Sequence, residues 1–244
     1  VPFFAPLYCR SMAKQARRSS CKSQKLELVQ HTNDRSRFFS YLRYAAKATQ
    51  QLQTPTGQKT MDVASLSSAL DIVAPACGQT LSVAEKAAVD LAMHPDDPPL
   101  PSFRGKVRIM NSVENFERLI AMSDSPRNGI TFCQGNFKAM GADIYSAARE
   151  FTEQGKVHFI HYRDVEGTAD TRFTETFHDD GPTDMARMLE IYARAGFEGP
   201  IRPDHSPTMG DEDAEKTRGY GMQGKIFAFG YMIGMMQAQN LSYE

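Results

Sequence analysis

The chain has 244 residues, of which 41% are hydrophobic and 23% are charged, and its formal net charge is −1. This length fits one barrel or two small domains, and the composition is ordinary for a globular protein. No apolar run reaches the roughly 18 residues of a membrane-spanning helix, and no known nucleic-acid-binding module is present. We therefore expect neither a membrane nor a nucleic acid as partner.

The beginning of the chain is basic. Residues 1–26 carry six basic side chains, and the first acidic residue is Glu27. A basic, serine-rich and acid-free segment is typical of a transit peptide, while a solvated tail explains the same composition and is the interpretation we favour. The sequence alone leaves both interpretations open.

Four cysteines are present, and no two of them form a Cys-x-x-Cys pair. In a chain of this length, such usage predicts free thiols in a reducing compartment rather than a disulfide framework. Because the sequence also shows no signal peptide, we expect the cytoplasm as the default location, with an organelle as the alternative if the basic start is a targeting segment.

The chain divides near residue 80 into two predicted parts. Residues 1–80 form a divergent segment that is largely helical or irregular, with helices predicted over Ser36–Gln53 and Val63–Val73. From residue 81 to residue 244, short apolar runs alternate with longer amphipathic segments. The change of pattern marks the start of the functional part.

The second part alternates predicted strands with predicted helices. The strands are predicted at Ala88–Met93, Gly129–Phe132, Val157–Ile160 and Gly199–Pro203. The helices are predicted at Asn111–Met122, Asp143–Gln154, Thr183–Ala195 and Met222–Gln239. Asn111 with Glu114 resembles a capping box, whereas Gly155 and Gly196 are typical C-terminal stops. Such alternation predicts βαβ units and a parallel sheet.

A possible metal ligand follows or ends each of the four strands: His94, Cys133, His161 and Asp204. They are 39, 28 and 43 residues apart, close to the unit length of a (β/α)8 barrel of about 250 residues. Because the carboxyl ends of parallel strands meet at one rim, the four side chains should converge. Imidazole, thiolate and carboxylate together suit a divalent transition ion.

The sequence therefore predicts an α/β fold of the TIM-barrel type. With about four βα units, it is an incomplete (β/α)8 barrel with additional N-terminal helices. Two other histidines fit this picture less directly. His158 precedes His161 by three residues on a strand, so the two should face opposite sides, and we expect His158 to be packed. His178 lies on a loop, where it either reaches a substrate or is simply a surface residue.

Several segments together resemble the mannonate dehydratase family. They are His94-Pro-Asp-Asp-Pro-Pro99, Gly129-Ile-Thr-Phe-Cys133, His161-Tyr-Arg-Asp164, Phe177-His-Asp-Asp-Gly181 with Thr183-Asp-Met185, Arg202-Pro-Asp-His205 and Gly219-Tyr220. They occur in the order of the family and at similar spacing over about residues 85–240. The first 80 residues do not share the resemblance, and the chain has no tryptophan, which the N-terminal half of the family contains.

The resemblance implies an activity and a residue set. The family has a xylose-isomerase-like barrel and converts D-mannonate to 2-keto-3-deoxy-D-gluconate with Mn²⁺ or Fe²⁺, in hexuronate catabolism. The resemblance implies a metal site formed by His94, Cys133, His161 and Asp204. It also implies that His205 and Tyr220 transfer protons and that Arg163 and Arg202 contact the sugar acid. His178 is a further candidate for substrate binding.

Two alternatives follow from the same residues. A related metal-dependent sugar isomerase or phosphodiesterase has similar rim ligands, but the thiolate of Cys133 argues against both. The other alternative is an inactive barrel fragment that binds metal, or one that needs a partner. Half a barrel exposes two sheet edges, and a homo-oligomer is one way to cover them.

Overall fold

The computed structural model describes residues 78–243, and the helices predicted at Ser36–Gln53 and Val63–Val73 lie outside this range. A helix covers residues 78–87 (α1). The strands are β1 (Leu91–Met93), β2 (Ser102–Phe103), β3 (Lys106–Val107), β4 (Asn128–Cys133), β5 (Val157–Tyr162), β6 (Val165–Thr168), β7 (Arg172–Glu175) and β8 (Ile201–Pro203). The further helices are α2 (Val113–Ala121), α3 (Gln134–Ala139), α4 (Ile144–Glu153), α5 (Met185–Arg194), α6 (Ala214–Thr217) and α7 (Met222–Ala238).

Four parallel strands form the main sheet, in the order β1-β4-β5-β8. The predicted α/β architecture with a parallel sheet is confirmed. All six residues of the central strand β4 are buried, which agrees with the nearly continuous apolar pattern expected where helices cover a parallel sheet. Among the described residues, no helix is long and apolar enough to cross a membrane.

The predicted bounds of the first strand need correction. Residue Ala88 has a φ of 53° and its amide donates to Glu85 O, so it ends helix α1, and β1 begins only at Leu91. The last strand likewise begins at Ile201 instead of Gly199.

The predicted capping box of helix α2 is wrong. The N-cap is Ser112, whose hydroxyl accepts a hydrogen bond from the amide of Asn115. The side chain of Asn111 instead donates to the carbonyls of Leu100 and Arg108, so it holds the preceding loop. Asn and Ser have nearly equal N-cap preference, and the sequence pattern cannot separate two adjacent candidates.

The other predicted helices are present with similar ends, except that α5 begins at Met185, after the N-cap Asp184, instead of at Thr183. Asp143 caps α4 and Asp184 caps α5, each through its carboxylate. Gly155 and Gly196, which follow these helices, have positive φ values of 66° and 80°. Helix α5 buries one apolar face, formed by Met185, Met188, Leu189 and Tyr192.

Two antiparallel hairpins were not predicted. The pair β2-β3 interrupts the segment after β1, and the pair β6-β7 follows β5 directly. Gly167 in β6 has a φ of 93°, and a Cβ atom there would collide with the carbonyl of Arg172 on the facing strand. The tight hairpin therefore requires glycine at this position.

An aromatic cluster fills the space between the sheet and its helices. The ring of Phe137 stacks on Phe132 with centroids 4.3 Å apart, and it also contacts Phe116 at 4.9 Å. All three side chains are completely buried. Because α3 begins directly after Cys133, this packing fixes the helix against the strand that carries the cysteine.

We expect Phe137→Ala to lower the free energy of unfolding by about 3–5 kcal/mol, since it leaves a cavity among rigid aromatic rings. Urea titration followed by circular dichroism measures the change. Ile226→Ala is the control, because Ile226 is 61% exposed and its truncation should change stability by less than about 0.5 kcal/mol. Equal shifts for both variants would contradict this account of the core.

Candidate metal centre

The four predicted ligands lie at the carboxyl ends of the four parallel strands. His94 follows β1, Cys133 ends β4, His161 lies near the end of β5 and Asp204 follows β8. Cys133 and His161 are direct neighbours in the β4-β5 register. The topology thus brings all four to one edge of the sheet.

Three of them form a compact group of ligand atoms. The donor atoms of His94, Cys133 and His161 all lie within 4.8 Å of one another, and His94 Nε2 is 3.1 Å from His161 Nδ1. Asp204 Oδ2 lies 3.5 Å from the same Nδ1 atom. These separations fit a transition ion with bonds of about 2.0–2.3 Å, and the mixed N, S and O set suits it chemically.

The imidazole of His94 is prepared for metal binding. Its Nδ1 atom donates to the carbonyl of Pro95 at 2.6 Å, which leaves the Nε2 lone pair facing the group. Burial lowers the pKa of His94 below 6.5, against the raising effects of the Pro95 carbonyl and Asp204. The ring is therefore neutral near pH 7, as a ligand must be.

The carboxylate of Asp204 is held in its ionised form. Burial alone would raise its pKa, but the hydrogen bond from His161, together with the nearby His205 and Arg202, lowers it well below its usual range. Arg202 Nη2 donates to Asp204 Oδ1 at 3.0 Å and to His161 Nε2 at 3.2 Å. Because Nε2 of His161 accepts, the proton of its neutral ring lies on Nδ1, and metal binding through Nδ1 requires that proton to move to Nε2 in place of the hydrogen bonds from Arg202.

Arg163 is the most enclosed charge beside the group. Its side chain is 1% exposed, and Nη1 donates to Asp97 at 2.9 Å and to Asn136 at 2.7 Å. The same atom lies 3.7 Å from Cys133 Sγ. Its other two nitrogens bind both oxygens of Glu175, with Nε 3.0 Å from Oε2. Burial alone would lower the pKa of Arg163, but Cys133 and Glu175 raise it well above its usual value.

His205 and Tyr220 lie together next to the ligand group. Their ring centroids are 4.6 Å apart and the planes are nearly perpendicular. The hydroxyl of Tyr220 donates to Asp204 Oδ1 at 3.3 Å, and His205 Nδ1 lies 3.2 Å from Glu175 Oε1. Burial and the Asp204 carboxylate raise the pKa of Tyr220 to about 12. Tyr220 is 50% exposed, so this side of the site is accessible to solvent.

The structure thus places eight of the nine predicted site residues around one group of side chains. His178 is apart from them: it is 1% exposed, and its Nε2 atom donates to the carbonyl of Tyr162 at 2.7 Å. Its predicted contact with a substrate stays a prediction. His158, expected to be packed, bonds the carbonyl of Leu91 through Nδ1 at 2.7 Å.

Sequence reasoning missed two residues of the site. Glu175 ends β7, and only the weak alternation of its hairpin strand could have placed it. Lys225 lies in the first turns of α7, where its Nζ atom donates to the carbonyl of Pro203 at 3.2 Å. The same atom lies over the ring of Tyr220, 4.7 Å from its centroid. Burial lowers the pKa of Lys225 to about 8. No local motif distinguishes it from an ordinary helical lysine.

A parallel sheet with a polar site at its carboxyl edge defines an α/β protein, and both (β/α)8 barrels and open parallel sheets have this arrangement. A crystal structure of mannonate dehydratase from Streptococcus suis serotype 2 matches with a TM-score of 0.65 and 29% identity, covering 72% of this chain and 52% of that one. A D-tagatose 3-epimerase-like protein shares the fold, with a TM-score of 0.54 and 16% identity over 76% of this chain and 61% of its own. The predicted fold class is confirmed as a partial barrel of the TIM type.

The sequence comparisons identify the family. The family model described as D-mannonate dehydratase (UxuA) matches residues 48–244. Mannonate dehydratase 2 of Halalkalibacterium halodurans is 37% identical over 161 residues, which are 65% of this chain and 46% of that protein. Mannonate dehydratase of Thermotoga petrophila is 37% identical over 163 residues, 66% of this chain and 44% of that protein.

The chain belongs to the mannonate dehydratase family, as the sequence motifs predicted. It spans about half the length of the curated relatives that it matches. The family match begins at residue 48, ahead of the domain boundary predicted near residue 80, which stays a prediction.

We expect Cys133→Ser to weaken binding of Co²⁺ by more than about 100-fold. Loss of a residue that only orients a metal ligand already costs about 10–100-fold in affinity, and loss of the ligand itself should cost more. The thiolate is the softest donor of the group, and a serine hydroxyl is a poor replacement. Calorimetric titration measures affinity, and a near-ultraviolet thiolate-to-cobalt band should vanish. Glu190→Gln, on the surface of α5, is the control; unchanged affinity and absorption in the cysteine variant would exclude the sulfur as ligand.

We expect His178 to make the folded chain sensitive to acid. Burial is the main cause that lowers its pKa below 6.5, and the Tyr162 carbonyl opposes it. Below pH 6.5 the unfolded chain therefore binds a proton that the folded chain does not, so the free energy of unfolding falls as the pH drops toward the lower, folded pKa. His94 contributes in the same direction.

His178→Gln keeps a donor for the Tyr162 carbonyl but removes the titrating ring. In chelator-treated protein, its loss of unfolding free energy between about pH 7 and about pH 5.5 should be smaller than that of the unchanged chain. Urea titrations at both pH values measure it. Identical losses would rule out His178 as a source of the acid sensitivity.

Proposed function

We propose that the protein is a metal-dependent mannonate dehydratase, a hydro-lyase that converts D-mannonate to 2-keto-3-deoxy-D-gluconate. The observation that carries the proposal is the group of His94, Cys133 and His161 donor atoms within 4.8 Å, beside the paired rings of His205 and Tyr220. Membership of the family supports the substrate.

Within this proposal, His94, Cys133, His161 and Asp204 hold the ion, with Mn²⁺ or Fe²⁺ as the expected metal. When bound, the metal supplies Lewis acidity toward the oxygens of the sugar acid and stabilises negative charge on them. Of the two arginines that are predicted to bind the sugar acid, Arg202 is the accessible one, because its side chain is 38% exposed. Arg163 is nearly enclosed by its partners, so its proposed contribution to substrate binding is smaller.

The dehydration moves two groups of the substrate. A base takes the proton on C2, and the hydroxyl on C3 accepts a proton and leaves as water; the enol that remains becomes the 2-keto acid when its hydroxyl proton moves to C3. We assign the base role to His205 and the acid role to Tyr220. Tyr220, with a pKa of about 12, is protonated at neutral pH and can donate.

We expect His205→Asn to reduce turnover by at least about 100-fold, because a positioned general base contributes about 10²–10⁴-fold. The full chain, loaded with Mn²⁺, is given D-mannonate, and formation of the 2-keto acid is followed. Metal content per chain should not change in the variant. His158→Asn is the matched control, because His158 bonds the Leu91 carbonyl, and it should retain turnover.

Three results would contradict the proposal in different ways. Metal binding without product from D-mannonate, at any protein concentration, would favour an inactive fragment. Isomerisation of a ketose instead of dehydration would favour a sugar isomerase. Unchanged turnover in the His205 variant would remove this histidine from the mechanism. Product that forms only in an oligomeric fraction of a size-exclusion column would support the dehydratase and identify its partner as a second copy.

A further inference from the structure

Glu175 has a carboxylate within hydrogen-bond distance of the proposed base, and neither the motifs nor the family resemblance singled it out. It ends strand β7, on the hairpin that follows β5. One of its oxygens, Oε1, is shared between Nδ1 of His205, at 3.2 Å, and Nη2 of Arg163. The other, Oε2, accepts from Nε of Arg163 at 3.0 Å.

Arg163 holds this carboxylate in place. The guanidinium side chain is 1% exposed, and it is fastened on the far side by Asn136 and Asp97. A Cβ atom on Gly135 would lie 2.8 Å from Cδ of Arg163, so the arginine passes over α3 where a glycine leaves room. Glu175 therefore meets a fixed, two-nitrogen fork rather than a mobile cation.

The charge state of Glu175 decides what the histidine can do. Burial raises the pKa of Glu175, but the hydrogen bonds from His205 and Arg163 lower it by more, so the group is ionised. An ionised carboxylate only accepts hydrogen bonds, so Nδ1 of His205 must carry the proton of the neutral ring. Its Nε2 then has a free lone pair, on the side away from Glu175.

We propose that Glu175 is a positioning residue for His205: through its hydrogen bond to Nδ1 it selects the tautomer with an unprotonated Nε2 and aims that atom at the substrate. The carboxylate also stabilises the imidazolium that forms when Nε2 takes a proton. This inference rests on the proposed role of His205 as base. It concerns the geometry of the ring, however, and can be tested whether or not the chain turns over D-mannonate.

The substitution Glu175→Gln tests the proposal. Gln keeps the shape but has only one accepting atom. With its carbonyl oxygen in the place of Oε2, where it accepts from Nε of Arg163, its NH₂ group takes the shared place of Oε1 and faces both Nδ1 of His205 and Nη2 of Arg163. An NH₂ group donates, so Nδ1 becomes an acceptor and the proton moves to Nε2. Histidine-labelled full chain, loaded with diamagnetic Zn²⁺, gives the tautomer from ¹⁵N shifts in long-range proton–nitrogen spectra, and His205→Asn identifies the resonances by subtraction.

We expect His205 to be protonated at Nδ1 in the unchanged chain and at Nε2 in Glu175→Gln. In the Mn²⁺-loaded enzyme, kcat should fall at least about tenfold, which is a part of the about 10²–10⁴-fold that a general base contributes, while KM and metal content stay close to normal. Glu175→Asp keeps the charge on a shorter side chain. It should retain the Nδ1 proton and recover part of kcat, which a purely structural role would not produce.

Glu166→Gln is the matched control, because Glu166 is an exposed carboxylate on the partner strand β6 of the same hairpin. It should change neither the tautomer nor kcat. The same His205 tautomer in the unchanged chain and in Glu175→Gln would overturn the proposal. A tautomer switch in a chain that shows no dehydration would support the Glu175–His205 coupling while contradicting the proposed function, so the two failures are distinguishable.

Discussion

The buried guanidinium of Arg163 is the interaction on which the candidate site depends. An unpaired charge at that depth would cost several kcal/mol, so its acceptors must be in place for the chain to fold as it does. Those acceptors come from three separate places: Asp97 in the loop after β1, Asn136 in α3 and Glu175 at the end of β7. Satisfying one cation therefore fixes the relative positions of three segments around the proposed metal ligands.

A second buried charge fixes the loop that follows the hairpin. The carboxylate of Asp164 accepts from Lys138 Nζ at 2.9 Å, from the amide of Thr183 at 2.9 Å and from the Thr183 hydroxyl at 2.6 Å. Arg163 and Asp164 are thus consecutive residues of opposite charge with separate partners. Arg163 binds Asp97, Asn136 and Glu175, whereas Asp164 binds Lys138 and Thr183. The β6-β7 hairpin lies between Asp164 and Thr183 in the sequence, and the hydrogen bonds between these two residues hold the segment before it against the segment after it. Glu175 can therefore reach His205 from a strand outside the main sheet.

The parallel sheet and the positions of the proposed ligands could be predicted from the sequence because both depend on periodicity. Strand ends in a parallel sheet converge whatever their surroundings, so His94, Cys133, His161 and Asp204 could be grouped before the structure was known. Glu175 and Lys225 could not, since a short hairpin and a helix deliver them by tertiary packing that no local pattern encodes. The capping residue of α2 was misassigned for a related reason: Asn111 and Ser112 have the same local preference, and the preceding loop decides between them.

Asp204 and His205 are adjacent in sequence yet serve different partners, and this explains how the proposed metal centre and base are coupled. Asp204 faces His161 and the ligand group, while the next side chain turns to Glu175. Tyr220 closes the arrangement, with its ring against His205 and its hydroxyl on Asp204. A shift of the strand end that carries Asp204 must therefore move the histidine and the tyrosine as well. The proposed chemistry at C2 and C3 of one substrate requires such fixed distances, because a displacement of about 1 Å between reacting groups can cost about 100-fold in rate.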